Sequence, residues 1–146
     1  MNATQKIYSQ VFANFYALML KTQNYHWHVR GPHFKPLHLF FEEQYQQLFG
    51  LVDSIAERMI ALGFSVPANF TFLNDLKSIP DGDHSLSANK MVIDLSQDYV
   101  HLIDLVYQLI DKAKEDEDEA SLSMFSDILI VLEKTLWMLR ATADVS

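Results

Sequence analysis

The sequence lacks cysteine altogether and contains only four glycines and four prolines among its 146 residues. Without cysteine the chain has no disulfide framework, no thiolate metal ligand and no cysteine nucleophile. Its start has no basic region followed by an apolar run, and its apolar runs are far shorter than a bilayer span, so we expect neither a secretory signal nor a membrane partner. A cytoplasmic protein is therefore expected, and the missing disulfides fit a reducing compartment.

Positive charge is also scarce. Eleven Lys and Arg residues stand against 19 Asp and Glu residues, which gives a formal net charge of −8. This excess of acid disfavours a chain that binds nucleic acid through its overall charge. Hydrophobic residues make up 49% of the chain, which excludes a disordered protein. The length predicts a single domain over residues 1–146.

All of the glycines and prolines except Gly50 gather at three places, near 31–36, 63–67 and 80–82. Between these breaks, apolar residues recur every three or four positions, as on the buried stripe of an amphipathic helix. Strand-like alternation is missing over any useful length. The pattern predicts an all-α four-helix bundle, with helices over residues 4–29, 34–62, 86–114 and 120–142.

The predicted helices are joined by two short links and one long one. Short links make the first two helices, and the last two, antiparallel hairpins. The long connection over residues 63–85 is a crossover that leaves the second and third helices parallel. Residues 70–73, FTFL, are too apolar for a loop that lies free in water. We expect them to form a short helix packed on the bundle.

Histidines and carboxylates on the first two helices are the candidate metal ligands. A turn at residue 32 places His26 and His38, each six residues away, at one level of the hairpin. Asp53 and Glu57 are four residues apart and share one helix face. Carboxylate oxygens with neutral imidazole nitrogens suit iron, zinc or manganese. The ordinary alternative is that these groups form a polar surface.

The distance between the two pairs constrains any such site. Asp53 follows His38 by 15 residues, about 22 Å along a helix, so one metal ion cannot bind both within one chain. A two-fold dimer with antiparallel second helices would set His26 and His38 against Asp53 and Glu57 of the partner subunit, twice per dimer. The third and fourth helices could complete a site instead. The polar residues of the third helix, however, are expected to be solvated: Asp94, Asp98, His101 and Asp111.

Four spaced motifs resemble those of the Dps family of mini-ferritins. They are HWHVRG at 26–31, the pair LH at 37–38 preceded by Phe34, DSIAER at 53–58, and EKTLWMLRA at 133–141 in the final helix. The resemblance spans essentially the whole chain with the family's order of elements. It implies an all-α, ferritin-like four-helix bundle whose long crossover carries a short helix.

The resemblance also implies an activity. Dps proteins form hollow dodecamers built from dimers, oxidise Fe(II), preferably with hydrogen peroxide, and store Fe(III) inside, protecting the cell from oxidative stress. Carried over, His26 and His38 bind iron from one chain, with Asp53 and Glu57 supplied by the partner and Glu42 in a secondary role. Two iron sites would then lie between each pair of subunits.

Four other residues near these motifs lie outside the main ligand set. Trp27 matches a family tryptophan that lies near the iron, where it either shields the site or packs. His28 stands where asparagine is common, His33 lies in the turn, and Thr135 replaces a frequent histidine. The alternatives for His28 and His33 are transient metal binding and a plain surface role, and we expect the surface role.

The acidic run over residues 115–119 has a structural and a functional interpretation. It is either a solvated turn with charge favourable to the next helix or, as family pores imply, part of a path that attracts iron. The candidates for that path are Asp118, Glu119 and Asp127.

Two other functions compete with iron oxidation and storage. A structural or DNA-condensing assembly should have lost some iron ligands, and none of the four main ligands is lost. A di-iron oxygenase of the larger ferritin-like class is disfavoured because Glu-x-x-His is missing; the nearest substitute is Asp98-Tyr99-Val100-His101. DNA binding is expected to be weak or absent, because Lys6 is the nearest cation at one end and residues 141–146 contain none.

Overall fold

A computed structural model describes residues 2–143 as five helices, with no strand in that range. The helices are α1 Ala3–His28, α2 Phe34–Ala61, α3 Phe70–Leu76, α4 Ala88–Glu115 and α5 Glu119–Ala143. The predicted boundaries agree with these to within two residues, which is the usual uncertainty of a helix end. The all-α prediction is confirmed. The last three residues of the cation-free 141–146 end lie outside the described residues.

Local chemistry explains where the helices begin and end. The side chains of Asn2 and Ser87 accept hydrogen bonds from backbone N–H groups three residues on, and so cap the starts of α1 and α4. Gly31, with φ of 110°, makes the turn between α1 and α2, and Gly63, with φ of 83°, follows the end of α2. Both φ angles lie in a region that favours glycine.

The core runs the length of the bundle. Helix α1 packs along α2 and also against α4, and α4 packs along α5. The apolar stripes predicted from the sequence face one another, and the fully buried side chains form one continuous cluster. Among them are Phe15, Leu18, Phe41, Leu48, Ile55, Leu102, Phe125 and Leu132. Their burial removes apolar surface from water and is the main favourable contribution to folding.

The short helix in the crossover is confirmed. Helix α3 packs against α1, and Leu73 contacts the core. Phe70 and Phe72, however, are 85% and 53% exposed, so a single chain covers only part of the apolar patch. Buried Asn14 holds the end of the crossover, because its Oδ1 accepts hydrogen bonds from the backbone N–H groups of residues 78 and 79.

The expectation of a solvated polar face on α4 is wrong for Asp94 and Asp98. The Nζ atom of Lys21, a residue only 3% exposed, lies 3.0 Å from Asp94 Oδ2 and 2.7 Å from Asp98 Oδ2. His101 is half-buried and its Nε2 lies 2.6 Å from the Ser78 hydroxyl. Only Asp111 is exposed as expected. The acids turn inward because a buried ammonium group needs a counter-charge.

These contacts form a charged network between α1 and α4. Burial raises the pKa of Asp98 to about 6, and the neighbouring Lys21 only partly opposes this effect. The Tyr25 hydroxyl donates to Asp94 Oδ2 and accepts from the backbone N–H of Asp83. Burial, together with the bond to Asp94, raises the pKa of Tyr25. The network ties the last turns of α1 to α4 and to the loop before it.

The lengths and composition of the helices bear on membrane insertion. Within residues 2–143, none combines the length and the apolar character needed to cross a bilayer.

Candidate metal centre

His26 and His38 face each other across the α1–α2 hairpin, as the sequence predicts. Their rings stack with centroids 3.8 Å apart and planes inclined by 13°. The Nδ1 atom of each ring lies 2.7 Å from the backbone oxygen of the other residue. His26 is buried and His38 is half-buried. The two histidines thus form a reciprocal pair held by both side chains and backbones.

The hydrogen bonds determine the tautomer of both rings. A carbonyl oxygen can only accept, so each Nδ1 must carry the proton and donate it. In a neutral imidazole, Nε2 then keeps an unprotonated lone pair. A carbonyl bonded to the far nitrogen is the arrangement that orients a metal-ligating histidine and makes it a better donor. The pair therefore has the chemistry of two preorganised ligands.

Two aromatic rings enclose the histidine pair. Tyr45 meets His26 edge-on with centroids 5.2 Å apart, and Phe34 stacks on His38 at 5.0 Å. Sequence analysis did not single out Tyr45. Its position could have been predicted from spacing, because Tyr45 is seven residues from His38 and thus lies two helical turns along the same face.

The second half of the candidate centre lies farther along α2. Asp53 and Glu57 are exposed neighbours, one helical turn apart. Hydrogen bonding and charge repulsion from Asp53 raise the pKa of Glu57. Two carboxylates in this arrangement compete for one proton, and a bound cation would relieve their repulsion.

The two halves do not meet within one chain. In residues 2–143, no group of three or more histidine, aspartate or glutamate side chains is placed to hold a metal ion. Glu42 is half-buried on α2, one turn beyond His38, and completes neither half. The His26–His38 pair and the Asp53–Glu57 pair therefore stay apart within one chain, since 15 residues of helix separate His38 from Asp53.

The other residues near the motifs divide into surface and core positions. Trp27 is 61% exposed, so it does not pack in the core of its own chain. His28 and His33 are exposed, as expected. Thr135 is buried, and its hydroxyl accepts from Gln47 Nε2 and donates to the backbone of α5. Thr135 therefore takes a structural role in place of the histidine frequent in the family.

The three acids proposed to attract iron differ in their surroundings. Asp118 accepts from Arg58 Nη2 at 3.0 Å and from the hydroxyl and backbone N–H of Ser121. Burial opposes its ionisation, but these hydrogen bonds prevail and lower the pKa of Asp118. Glu119 and Asp127 are exposed. Asp118 thus serves to join α2 to the start of α5, whereas the other two acids remain open to solvent.

Comparison with known proteins decides the family. The sequence pattern that defines the ferritin-like domain matches residues 6–145. The chain is 38% identical over 129 residues to the DNA protection during starvation protein of Brevibacillus brevis, covering 88% of this chain and 87% of that protein. The chain belongs to the Dps family. Dps proteins are ferritin-like proteins of iron storage and stress protection, and they are generally ferroxidases.

Solved structures agree with the Dps assignment. A Dps protein from Bacillus brevis superposes with a TM-score of 0.91 at 34% identity, covering 97% of this chain and 99% of that one. The Dps protein of Vibrio cholerae O1 superposes with a TM-score of 0.91 at 27% identity over 94% and 87% of the two chains. That protein is described as a member of a broad superfamily of ferritin-like diiron-carboxylate proteins. The ferritin-like fold expected from the motifs is confirmed.

Proposed function

We propose that this Dps protein is a ferroxidase that oxidises Fe(II) with hydrogen peroxide at sites shared between two subunits. The ferric product is stored inside a dodecameric shell, where it no longer feeds oxidative damage. The observation that carries the proposal is the reciprocal His26–His38 pair, in which two rings keep unprotonated Nε2 atoms.

The separation of the half-sites supports sharing between subunits. A two-fold axis that sets two α2 helices antiparallel would put His26 and His38 beside Asp53 and Glu57 of the partner subunit. Isologous contact makes two such sites per dimer. Each site would then combine two neutral nitrogens with two carboxylates, a ligand set that suits iron.

Exposed apolar side chains support further association. Because large exposed apolar patches mark sites of protein association, the large apolar side chains that are more than half exposed on α1, α2, α3 and α5 favour contact with other subunits. They include Phe49, Ile60, Phe70, Ile130 and Trp137. Their distribution over four helices fits a shell in which each subunit meets several others.

The ligand charges explain why the site would favour oxidation. Fixed carboxylates stabilise Fe(III) more than Fe(II), because attraction grows with the charge on the ion. The reaction takes one electron from each of two Fe(II) ions: 2 Fe(II) + H2O2 + 2 H⁺ gives 2 Fe(III) + 2 H2O. The O–O bond breaks, both oxygens leave as water, and the protons come from solvent. Glu57, one helical turn from Asp53, is the expected bridging anionic ligand by its resemblance to the Dps motif, with Glu42 in a supporting position.

A charge-matched pair of variants tests this assignment. Asp53→Asn with Glu57→Gln removes both carboxylates and is expected to slow peroxide-dependent Fe(II) oxidation at least about tenfold, as loss of metal ligation does. Glu43→Gln with Asp111→Asn removes the same charge from exposed positions elsewhere and should leave the rate unchanged. Equal rates for the two double variants, with the assembly intact, would show that Asp53 and Glu57 are not iron ligands.

A further inference from the structure

A second pair of histidines lies outside the candidate ferroxidase centre. His28, in the last turn of α1, and His84, in the loop before α4, have ring centroids 4.9 Å apart with planes inclined by 33°. The two residues are 56 positions apart in the sequence, so only the fold brings them together. Both are exposed in the single chain.

The His28 ring is oriented by its own helix. Its Nδ1 lies 2.8 Å from the backbone oxygen of Asn24 and 3.0 Å from the Asn24 side-chain oxygen. Both oxygens can only accept, so Nδ1 carries the proton and Nε2 keeps its lone pair. The free Nε2 atom of His28 is therefore available to a metal ion, as are those of His26 and His38.

The loop that carries His84 is held in place by polar contacts on both sides. Arg30 donates to the backbone oxygens of His84 and Ser85. Asp83 Oδ1 accepts from the hydroxyl and backbone N–H of Ser85, and the backbone N–H of Asp83 donates to the Tyr25 hydroxyl. His84 is therefore presented by an anchored loop, next to α1.

Two aspartates of the loop that carries His84 add negative charge to the surroundings. His28 and Asp81 line one groove of about 290 Å³. Asp83 adjoins His84 in the loop, and its Oδ1 accepts hydrogen bonds from Ser85. Among residues 2–143 no third histidine or carboxylate joins the two imidazoles in one cluster, so the two rings supply the protein ligands, while the guanidinium of Arg30 is engaged by backbone oxygens.

We propose that His28 and His84 form a surface site for a late divalent transition metal, with Cu(II) bound most tightly and Zn(II) less tightly. Imidazole suits both metals, and affinity for nitrogen sites peaks at copper in the divalent series. Two imidazole nitrogens at about 2.0–2.1 Å from one ion lie about 3 Å apart, which suits rings as close as these. Water molecules would fill the remaining positions. Manganese, which prefers oxygen ligands, should bind poorly here.

Cu(II) titration of the assembled protein tests the site. The readouts are bound Cu(II) per chain, by equilibrium dialysis, and the nitrogen superhyperfine pattern in the electron paramagnetic resonance spectrum. His28→Asn, His84→Asn and their double variant are each expected to lose one Cu(II) per chain and its two-nitrogen pattern. His33→Asn is the matched control, because His33 is also exposed and lies in the α1–α2 turn. It should bind copper as the unmodified protein does.

Two results would overturn the proposal. One is a double variant that keeps the full Cu(II) stoichiometry and spectrum; the other is an equal loss in His33→Asn. The ferroxidase proposal is judged separately, because Fe(II) oxidation in the His28 and His84 variants should equal that of the unmodified protein. Loss of iron oxidation with copper binding intact would contradict the assignment of these two histidines to a separate site.

Discussion

The Nδ1 atom of His26 donates to the backbone oxygen of His38, and His38 returns the same bond at the same 2.7 Å distance. Each ring is thus oriented by the other residue's backbone rather than by its side chain. Removing one side chain therefore leaves the tautomer of the remaining ring unchanged. Both rings are thus oriented within a single chain.

The buried ion pairs of Lys21 predict a pH-dependent loss of stability. Lys21→Met leaves Asp98 and Asp94 without their cation and should lower the free energy of unfolding by about 3–5 kcal/mol at pH 7.5. The pKa of Asp98, already about 6, should rise further in the variant. The native state then binds a proton that the unfolded state does not, so stability recovers as pH falls through that raised pKa, and the deficit should be smaller at pH 5.

Urea unfolding at fixed protein concentration measures this effect. Lys112→Met is the control, because Lys112 forms ion pairs with exposed Glu115 and Asp116, and such surface pairs contribute about 0–1 kcal/mol. A deficit in Lys21→Met that is equal at pH 5 and pH 7.5 would contradict a buried, proton-binding Asp98.

The contacts of Asp118 predict a structural rather than an iron-attracting role. Asp118→Ala removes the cap from the start of α5 and the partner of Arg58, and should cost about 1–2 kcal/mol of stability. Because the pKa of Asp118 is lowered in the fold, this contribution is present above the ordinary aspartate pKa. It is lost as pH falls through the lowered value. Thermal unfolding at pH 7 and pH 3 checks both points.

The exposed acids Glu119 and Asp127 are expected to affect iron uptake rather than stability. Glu119→Gln with Asp127→Asn should slow iron uptake into the assembly while leaving the unfolding temperature unchanged, because both side chains are solvent-exposed. Uptake is followed by ferric absorbance under limiting Fe(II). A greater slowing by Asp118→Ala than by this double variant would reverse the assignment of the three acids.

The net charge of −8 per chain predicts weak DNA binding. A shell of many such chains repels phosphates over distances of the order of the Debye length, about 8 Å at 0.15 M salt. We expect no gel shift of duplex DNA at pH 7.5 in about 0.15 M salt. A clear shift under these conditions would favour the DNA-condensing alternative.

Much of the fold could be predicted because helix periodicity and chain breaks are local signals. The scarcity of glycine and proline located the helices, and the six-residue symmetry about residue 32 correctly paired His26 with His38. The short α3 helix followed from four apolar residues in an otherwise polar connection. These inferences need only the geometry of one helix or one hairpin.

The side-chain pairings that could not be predicted join segments that are far apart in the sequence. Asp98 sits next to the apolar stripe of α4, and the sequence alone does not reveal that buried Lys21 draws it inward. In the sequence Asp118 belongs to an acidic run, whereas in the structure it binds Arg58, a residue 60 positions away. His28 and His84 likewise meet only after folding. Pairings of this kind leave no periodic signal in the sequence.

The shared ferroxidase site is tested most directly by mixing two inactive proteins. One carries His26→Ala with His38→Ala, and the other carries Asp53→Ala with Glu57→Ala. After dissociation and random reassembly at equal amounts, half of the dimers are mixed, and each has one complete site out of two. If the sites are shared, about one quarter of the unmodified rate of Fe(II) oxidation should return. A rate no higher than that of the two separate variants, with mixed dimers demonstrated by native mass spectrometry, would contradict a shared site.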